Sequence, residues 1–192
     1  MTEFLNFQCD CGAVTGKVAS QGAFFRNRVV CYCDDCQAFV NHLGHEKSLN
    51  PYGGTDVFQV SASQVSITSG QEHLKCMKIT AKGVHRWYAS CCNAPIGNTI
   101  NAKWPLVGFI STSIVEDLEK TVGPIKGSVF CKFANQAIPN EVKGPWSHKR
   151  IVATMLLKLV VWRILGKGAP NPFYAAGKAI SKPYCIANEA GD

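Results

Sequence analysis

Seven of the ten cysteines in this chain fall into three short runs: Cys9 and Cys11 in CDCG, Cys31, Cys33 and Cys36 in CYCDDC, and Cys91 and Cys92 in RWYASCCNAP. Thiols in a CxC pair are too close to bridge each other comfortably, whereas CxC and CxxC present two thiolates to one ion. The chemistry these spacings point to is metal coordination. A tetrahedral structural zinc needs about four ligands, at roughly 2.3 Å for thiolates. Cys9 and Cys11 make half of such a site, and Cys91 and Cys92 are the candidates to complete it. Neighbours on an extended strand face opposite ways, so both can join one ion only across a bulge or a tight turn. Cys31, Cys33 and Cys36 form a separate group of three, the number that a catalytic zinc with an open position takes from the protein. Cys76, Cys131 and Cys185 stand alone and read as small buried hydrophobes.

The elements that must hold these thiols are mostly strands. From residue 1 to about 145 the chain consists of short runs broken by Gly, Pro, Asn and Asp, such as VTGKVAS and KCMKITAKGVHRWYAS, several with period-two alternation. In TDVFQVSASQVSITSG, Phe58 and Val60 share a face, as do Val65 and Ile67, with a turn near Ala62 to Gln64. The stretches Gly108 to Leu118 and Val129 to Asn135 suit either a strand or a short helix. The texture changes at WSHKRIVATMLLKLVVWRILGKG, where Ser147 as N-cap and Gly166 or Gly168 as the stop frame one helix of about five turns. Its polar wedge, around Arg150, Thr154 and Lys158, is narrow, so the helix calls for cover by the protein's own core or by a twin subunit, in preference to a membrane surface. The tail from Ala169 reads as an irregular strap. The expected organisation is a zinc-binding β domain over residues 1–145, followed by an apolar helix and tail over residues 146–192, with a homodimer through residues 148–166 as the candidate assembly.

Composition limits the function classes. At 192 residues and 46% hydrophobic content, the chain is long enough for one good core. The opening MTEFLNFQCDCG has no basic region followed by an apolar one, so no signal peptide is expected, and the clustered cysteines suit a reducing cytoplasm better than a disulfide framework. The net charge of +7 comes from scattered Lys and Arg with no basic run interleaved with aromatics, so nucleic acid is not the favoured partner. Ile151 to Leu165 would span about 22 Å against a hydrocarbon core of about 30 Å and carries Lys158 and Arg163, so no transmembrane segment is expected. His42 and His45 read as surface residues in a polar loop.

Taken in order, CxCG near the N-terminus, CxCxxC about twenty residues on, and an R-x-aromatic segment leading to a Cys and a Pro resemble the glutathione-dependent formaldehyde-activating enzyme and centromere-protein-V family. The resemblance covers roughly residues 7 to 100 and implies a mainly β, Mss4-like β-tent zinc fold. It implies a structural zinc held by Cys9, Cys11 and Cys92, and a labile zinc at Cys31, Cys33 and Cys36 where glutathione and its aldehyde adduct would act. Arg86 would then pair with a glutathione carboxylate or bridge across the sheet. The chain departs from the family pattern at Ala89, where the first Cys of the later CxxC would stand, and at Asn93, where the pattern has Gly. The functional expectation is a zinc-dependent carbon–sulfur lyase acting on thiol adducts of small aldehydes. A zinc-stabilised binding module and a thiol-based redox or metal sensor are the alternatives.

Overall fold

The period-two runs pair into strands in the computed structural model, which describes residues 4–19 and 27–186. Strands β1 (Phe4–Gln8), β2 (Thr15–Ala19) and β3 (Asn27–Cys31) precede helix α1 (Asp34–His42). Strands β4 (Thr55–Ser61), β5 (Val65–Ser69), β6 (Leu74–Lys78), β7 (His85–Ala89), β8 (Ala94–Thr99) and β9 (Leu106–Ile110) follow. The remainder comprises α2 (Leu118–Thr121), β10 (Gly127–Val129), α3 (Asn140–Lys143), α4 (His148–Ile164), β11 (Tyr174–Ala175), β12 (Lys178–Ala179) and β13 (Tyr184–Cys185). The protein is therefore mainly β, with a few helices.

An eight-stranded sheet runs in the order β10-β3-β4-β9-β8-β7-β6-β13, and a three-stranded sheet in the order β1-β2-β5. The turn expected near Ala62 to Gln64 is present as a single 3-10 turn, but it does not close a hairpin: β4 pairs with β3 and β9, whereas β5 pairs with β2. This turn carries the chain from one sheet to the other. Its Ser61–Gln64 capping box satisfies the backbone as the direction changes. The two stretches that suited either state are divided between both: Gly108 to Leu118 ends β9 and enters a 3-10 turn, and Val129 to Asn135 ends β10 and does the same.

Strand alternation sets up two layers of core. Leu5, Phe7, Val18 and Val65 of the small sheet face Phe58, Val60, Trp87 and Phe109 of the large one, with Phe7 and Phe109 ring centroids 4.9 Å apart. On the opposite face of β4, Val57 joins Val29, Ile110, Val129 and the first buried turn of α4 at Ile151. One strand thus feeds two clusters because its successive side chains point to opposite faces. The tail returns to the same core: Phe173 is fully buried against Trp87, and Trp87 Nε1 donates to Thr99 Oγ1 (2.9 Å), which sits 2.7 Å from the Tyr174 hydroxyl. β13 adds to the sheet edge alongside β6 in parallel. Residues 187–192 of the expected strap lie outside the described residues.

Helix α4 begins and ends as its sequence dictates. Ser147 Oγ accepts from the Arg150 N–H, and Gly166, at φ +66°, carries a Schellman stop in which the Lys167 N–H reaches the Trp162 carbonyl (2.8 Å) and the Gly166 N–H reaches that of Arg163 (3.2 Å). Its polar wedge, however, is split. Arg150 and Thr154 lie toward solvent, while Lys158, at 2% exposure, faces the protein beside Leu159 and Trp162. Burial, and the nearby charge of Lys126, lower the Lys158 pKa from 10.5 to about 8. Because that folded-state pKa lies below the unfolded one, the unfolded chain binds the extra proton between about 8 and 10.5, and this group makes stability rise with pH across that window. Lys158→Met is expected to raise stability at pH 7 by about 1–3 kcal/mol. Its advantage should shrink between about pH 8 and pH 10.5, as followed by urea unfolding of both proteins under reducing conditions.

Candidate metal centres

Two chain reversals bring the first four thiols together. After β1, Cys9 N–H bonds to the Val14 carbonyl and Gly12 N–H to the Cys9 carbonyl (both 3.0 Å), with Gly12 at φ +78° closing the turn. After β7, the Cys92 N–H bonds back to the Ala89 carbonyl (3.3 Å), and Asn93 takes φ +58° before β8 begins. This second reversal is the tight turn that lets adjacent cysteines serve one site. Asn is one of the few residues that enter the left-handed region at low cost, so Asn93 fulfils the backbone role of a Gly. Ala89 is fully buried in the core, and Cys91 supplies the fourth sulfur.

The sulfurs of Cys9, Cys11, Cys91 and Cys92 all lie within 4.8 Å of one another. The Cys11–Cys91 separation is 3.3 Å, Cys9–Cys11 3.6 Å, Cys9–Cys91 3.7 Å and Cys91–Cys92 3.9 Å. Four thiolates at about 2.3 Å from a tetrahedral ion are separated by about 3.8 Å, so these spacings fit a closed four-sulfur site. Cys9 is buried and its sulfur accepts from the Val14 N–H (3.3 Å), whereas Cys11 and Cys91 are exposed. Backbone donors to sulfur orient a ligand and offset its negative charge.

The second group straddles the junction of β3 and α1. Cys31 ends the strand, Cys33 is the residue before the first helical turn, and Cys36 lies within that turn, its N–H bonded to the Cys33 carbonyl (3.0 Å). The Cys31–Cys33 sulfur separation is 3.4 Å, Cys31–Cys36 is 3.7 Å, and all three sulfurs lie within 4.8 Å of one another. Among the described residues, this group supplies three metal-ligating atoms where the first supplies four.

Arg86 is the charged partner of this group. At 2% exposure, it projects from β7 and places Nη1 3.6 Å from Cys36 Sγ and 3.3 Å from Asn98 Oδ1, while Nη2 lies 3.7 Å from Asp35 and the guanidinium stacks over the Phe39 ring. Hydrogen bonding by the Cys31 and Cys33 thiols, reinforced by the Arg86 charge, holds the Cys36 thiol well below its ordinary range despite burial. Cys33 is left at about 11: its contact with Cys31 lowers it, but its contact with Cys36 and burial outweigh that. Cys31 is driven upward by its two thiol neighbours. Of the three sulfurs, the one nearest the guanidinium is thus the one whose negative charge its surroundings favour most.

Arg86, expected to meet either a substrate carboxylate or a partner across the sheet, directs its donors inward to Cys36, Asp35 and Asn98. Asn98 lies directly opposite it in the β7–β8 register. No motif marks Asn98 in the sequence; its place opposite Arg86 comes from strand pairing alone. His45 corrects the surface reading: it is 6% exposed, with Nδ1 2.9 Å from Ser48 Oγ and Nε2 3.0 Å from Asp10 Oδ2. Lys47 also pairs with Asp10, and together with His45 it holds that carboxyl below its usual range. Asp10 lies between Cys9 and Cys11, so this contact ties the first thiol turn to the segment after α1. His42 is exposed, 3.2 Å from the Tyr184 hydroxyl. Cys76, as expected of an isolated cysteine, is a buried hydrophobe, and burial pushes its pKa up to about 12.

If the four-sulfur group holds an ion, replacing one sulfur should weaken the folded state only while the ion is present. Cys91→Ser is expected to lower the thermal midpoint of the metal-loaded protein by about 5 °C or more and that of chelator-stripped protein by no more than about 2 °C, by differential scanning fluorimetry.

Among solved structures, this chain is similar to a structural-genomics protein from Rhodobacter sphaeroides, at 16% identity and a TM-score of 0.42 over 62% of this chain and 96% of that one. No curated protein matches. A family model described as a family of unknown function (DUF6151) matches residues 1–183, and the chain belongs to that family.

Proposed function

Since membership of that family assigns no chemistry, we propose from the two thiol groups that the protein is a two-zinc enzyme of the carbon–sulfur lyase type, acting on thiol adducts of small aldehydes such as that of glutathione. The observation that carries the reading is the difference between the groups. Cys9, Cys11, Cys91 and Cys92 offer a complete tetrahedral set, whereas Cys31, Cys33 and Cys36 offer three sulfurs, which suits an ion with one position for an outside ligand. The Mss4-like β-tent architecture implied by the ordered motifs belongs to the same proposal.

The donor sets fit zinc. All seven ligands are thiols, sulfur separations of 3.3–3.9 Å agree with thiolate–zinc geometry, and soft sulfur sets select zinc over oxygen-seeking ions. At the three-sulfur site, zinc would supply a Lewis acid that lowers the pKa of an incoming thiol. The protein's own contribution is electrostatic. Three thiolates and an incoming fourth would accumulate negative charge, which Arg86 offsets from its buried position behind Cys36. The Arg86 contact to Asn98 and its stacking on Phe39 fix the guanidinium there. In the cleavage of a hydroxymethyl thioether, the carbon–sulfur bond breaks with its electron pair returning to sulfur. The hydroxyl proton passes to water as the carbonyl forms.

Protein purified under reducing conditions without chelator is expected to carry two zinc ions per chain by atomic absorption, and Cys33→Ser one. The same variant should cleave S-hydroxymethylglutathione at least 100-fold more slowly than the parent. Unchanged turnover would overturn the lyase reading. One ion that survives the substitution, with no turnover in either protein, would mean a zinc-stabilised binding module instead.

A further inference from the structure

Helix α4 wears its aliphatic side chains outside. Leu156 and Leu157 are 54% exposed, Val160 53%, Ile164 78% and Leu165 58%, while the inward face buries Ile151, Lys158, Leu159 and Trp162. Leu156, Val160 and Ile164 follow one another at i, i+4 and i+8 and so form a single stripe along the helix. Solvent contact with four large aliphatic residues on one helix and a fifth, Leu165, just past its end is unfavourable, and such a surface marks an interaction site.

The charge around the stripe identifies the kind of partner. From Val142 to Asn188 the sequence contains no Asp or Glu, but eight Lys and Arg residues. Lys149 and Arg150 are exposed at the start of the helix, and Arg163 is exposed near its end, where it stacks toward Trp104 (5.7 Å) and donates to the Lys103 carbonyl (2.7 Å). Trp104, partly exposed beside the last turn, adds an amphipathic ring of the type that favours a membrane–water boundary. A second copy of the same face would set these cations against one another with no carboxylate in the segment to receive them. Among the described residues no helix is long and apolar enough to cross a membrane. With Ile151, Leu159 and Trp162 anchored in the fold, α4 would rest in the plane of a bilayer.

We propose that α4 docks this protein onto an anionic phospholipid surface, with Leu156, Val160 and Ile164 entering the acyl boundary and Lys149, Arg150 and Arg163 meeting the headgroups. The interaction is independent of both thiol groups. It is tested by flotation of the reduced, metal-loaded full chain with vesicles of phosphatidylcholine alone or with 30% phosphatidylserine. The parent should float with the anionic vesicles and at least tenfold less with the neutral ones, and 0.5 M NaCl should weaken the association. Leu156→Ser combined with Val160→Ser should abolish flotation. Lys149→Glu combined with Arg163→Glu should reduce partitioning at least tenfold, about 1 kcal/mol per cation being the usual headgroup attraction. Because all four positions are exposed, both variants should keep the parent's zinc content, and the Leu156/Val160 variant its thermal midpoint; the Lys149/Arg163 variant, which gives up the Arg163 bond to the Lys103 carbonyl, should melt within about 5 °C of the parent. Failure to float with anionic vesicles would overturn the proposal, as would equal flotation with neutral ones. So would a parent dimer in light scattering that the Leu156/Val160 variant dissociates while vesicles capture neither protein; that result would make the stripe a subunit interface.

Discussion

Thiolates repel one another, so four sulfurs held within 4.8 Å require either their protons or a cation among them, and two chain reversals 80 residues apart have to meet to create that situation. The β1–β2 turn and the β7–β8 turn belong to different sheets. Their meeting depends on the small sheet packing against the large one through the shared core, where Phe7 and Phe109 touch. The grouping of the four sulfurs and the packing of the sheets are therefore two expressions of one constraint: anything that separates the turns parts the sulfurs. Asp10 extends the same junction by tying the first turn to His45 and Lys47 beyond α1.

The three-sulfur group obeys a different logic. It is local, since all three thiols come from six consecutive residues spanning a strand end and a helix start. What it borrows from afar is charge. Arg86 arrives from β7, is desolvated, and finds in Cys36 a sulfur that offsets part of that cost. A buried guanidinium beside a thiol cluster makes sense where negative charge must be tolerated, and less where the cysteines merely fill space. The two groups thus combine a closed set at a structural seam with an open set beside a fixed cation.

Helix α4 shows a similar separation between making an element and placing it. Its N-cap at Ser147 and its Schellman stop at Gly166 are local and would form wherever the helix lay. Which side turns inward is decided by Ile151, which must join Val57 and Val129, and by Trp162, which is buried at the far end. Those two anchors sit on one side of the helix and carry Lys158 and Leu159 inside with them, leaving Leu156 and Leu157 out. The near-uniform apolarity of the segment hides this choice, because a helix apolar almost all round gives no directional signal.

The sequence alone determined the elements whose causes are local: the period-two strands, the capped helix, the mainly β class, and the grouping of seven cysteines through spacings that serve metal ions and suit packing poorly. It also named Arg86 as a residue of interest. Tertiary structure alone decided that β4 and β5 belong to different sheets, that Cys91 completes the first group, that Asn98 stands behind Arg86, and that His45 is buried against Asp10. Each of these depends on which distant strands become neighbours. That choice is made by the packing of whole faces, and no stretch of a few residues carries it.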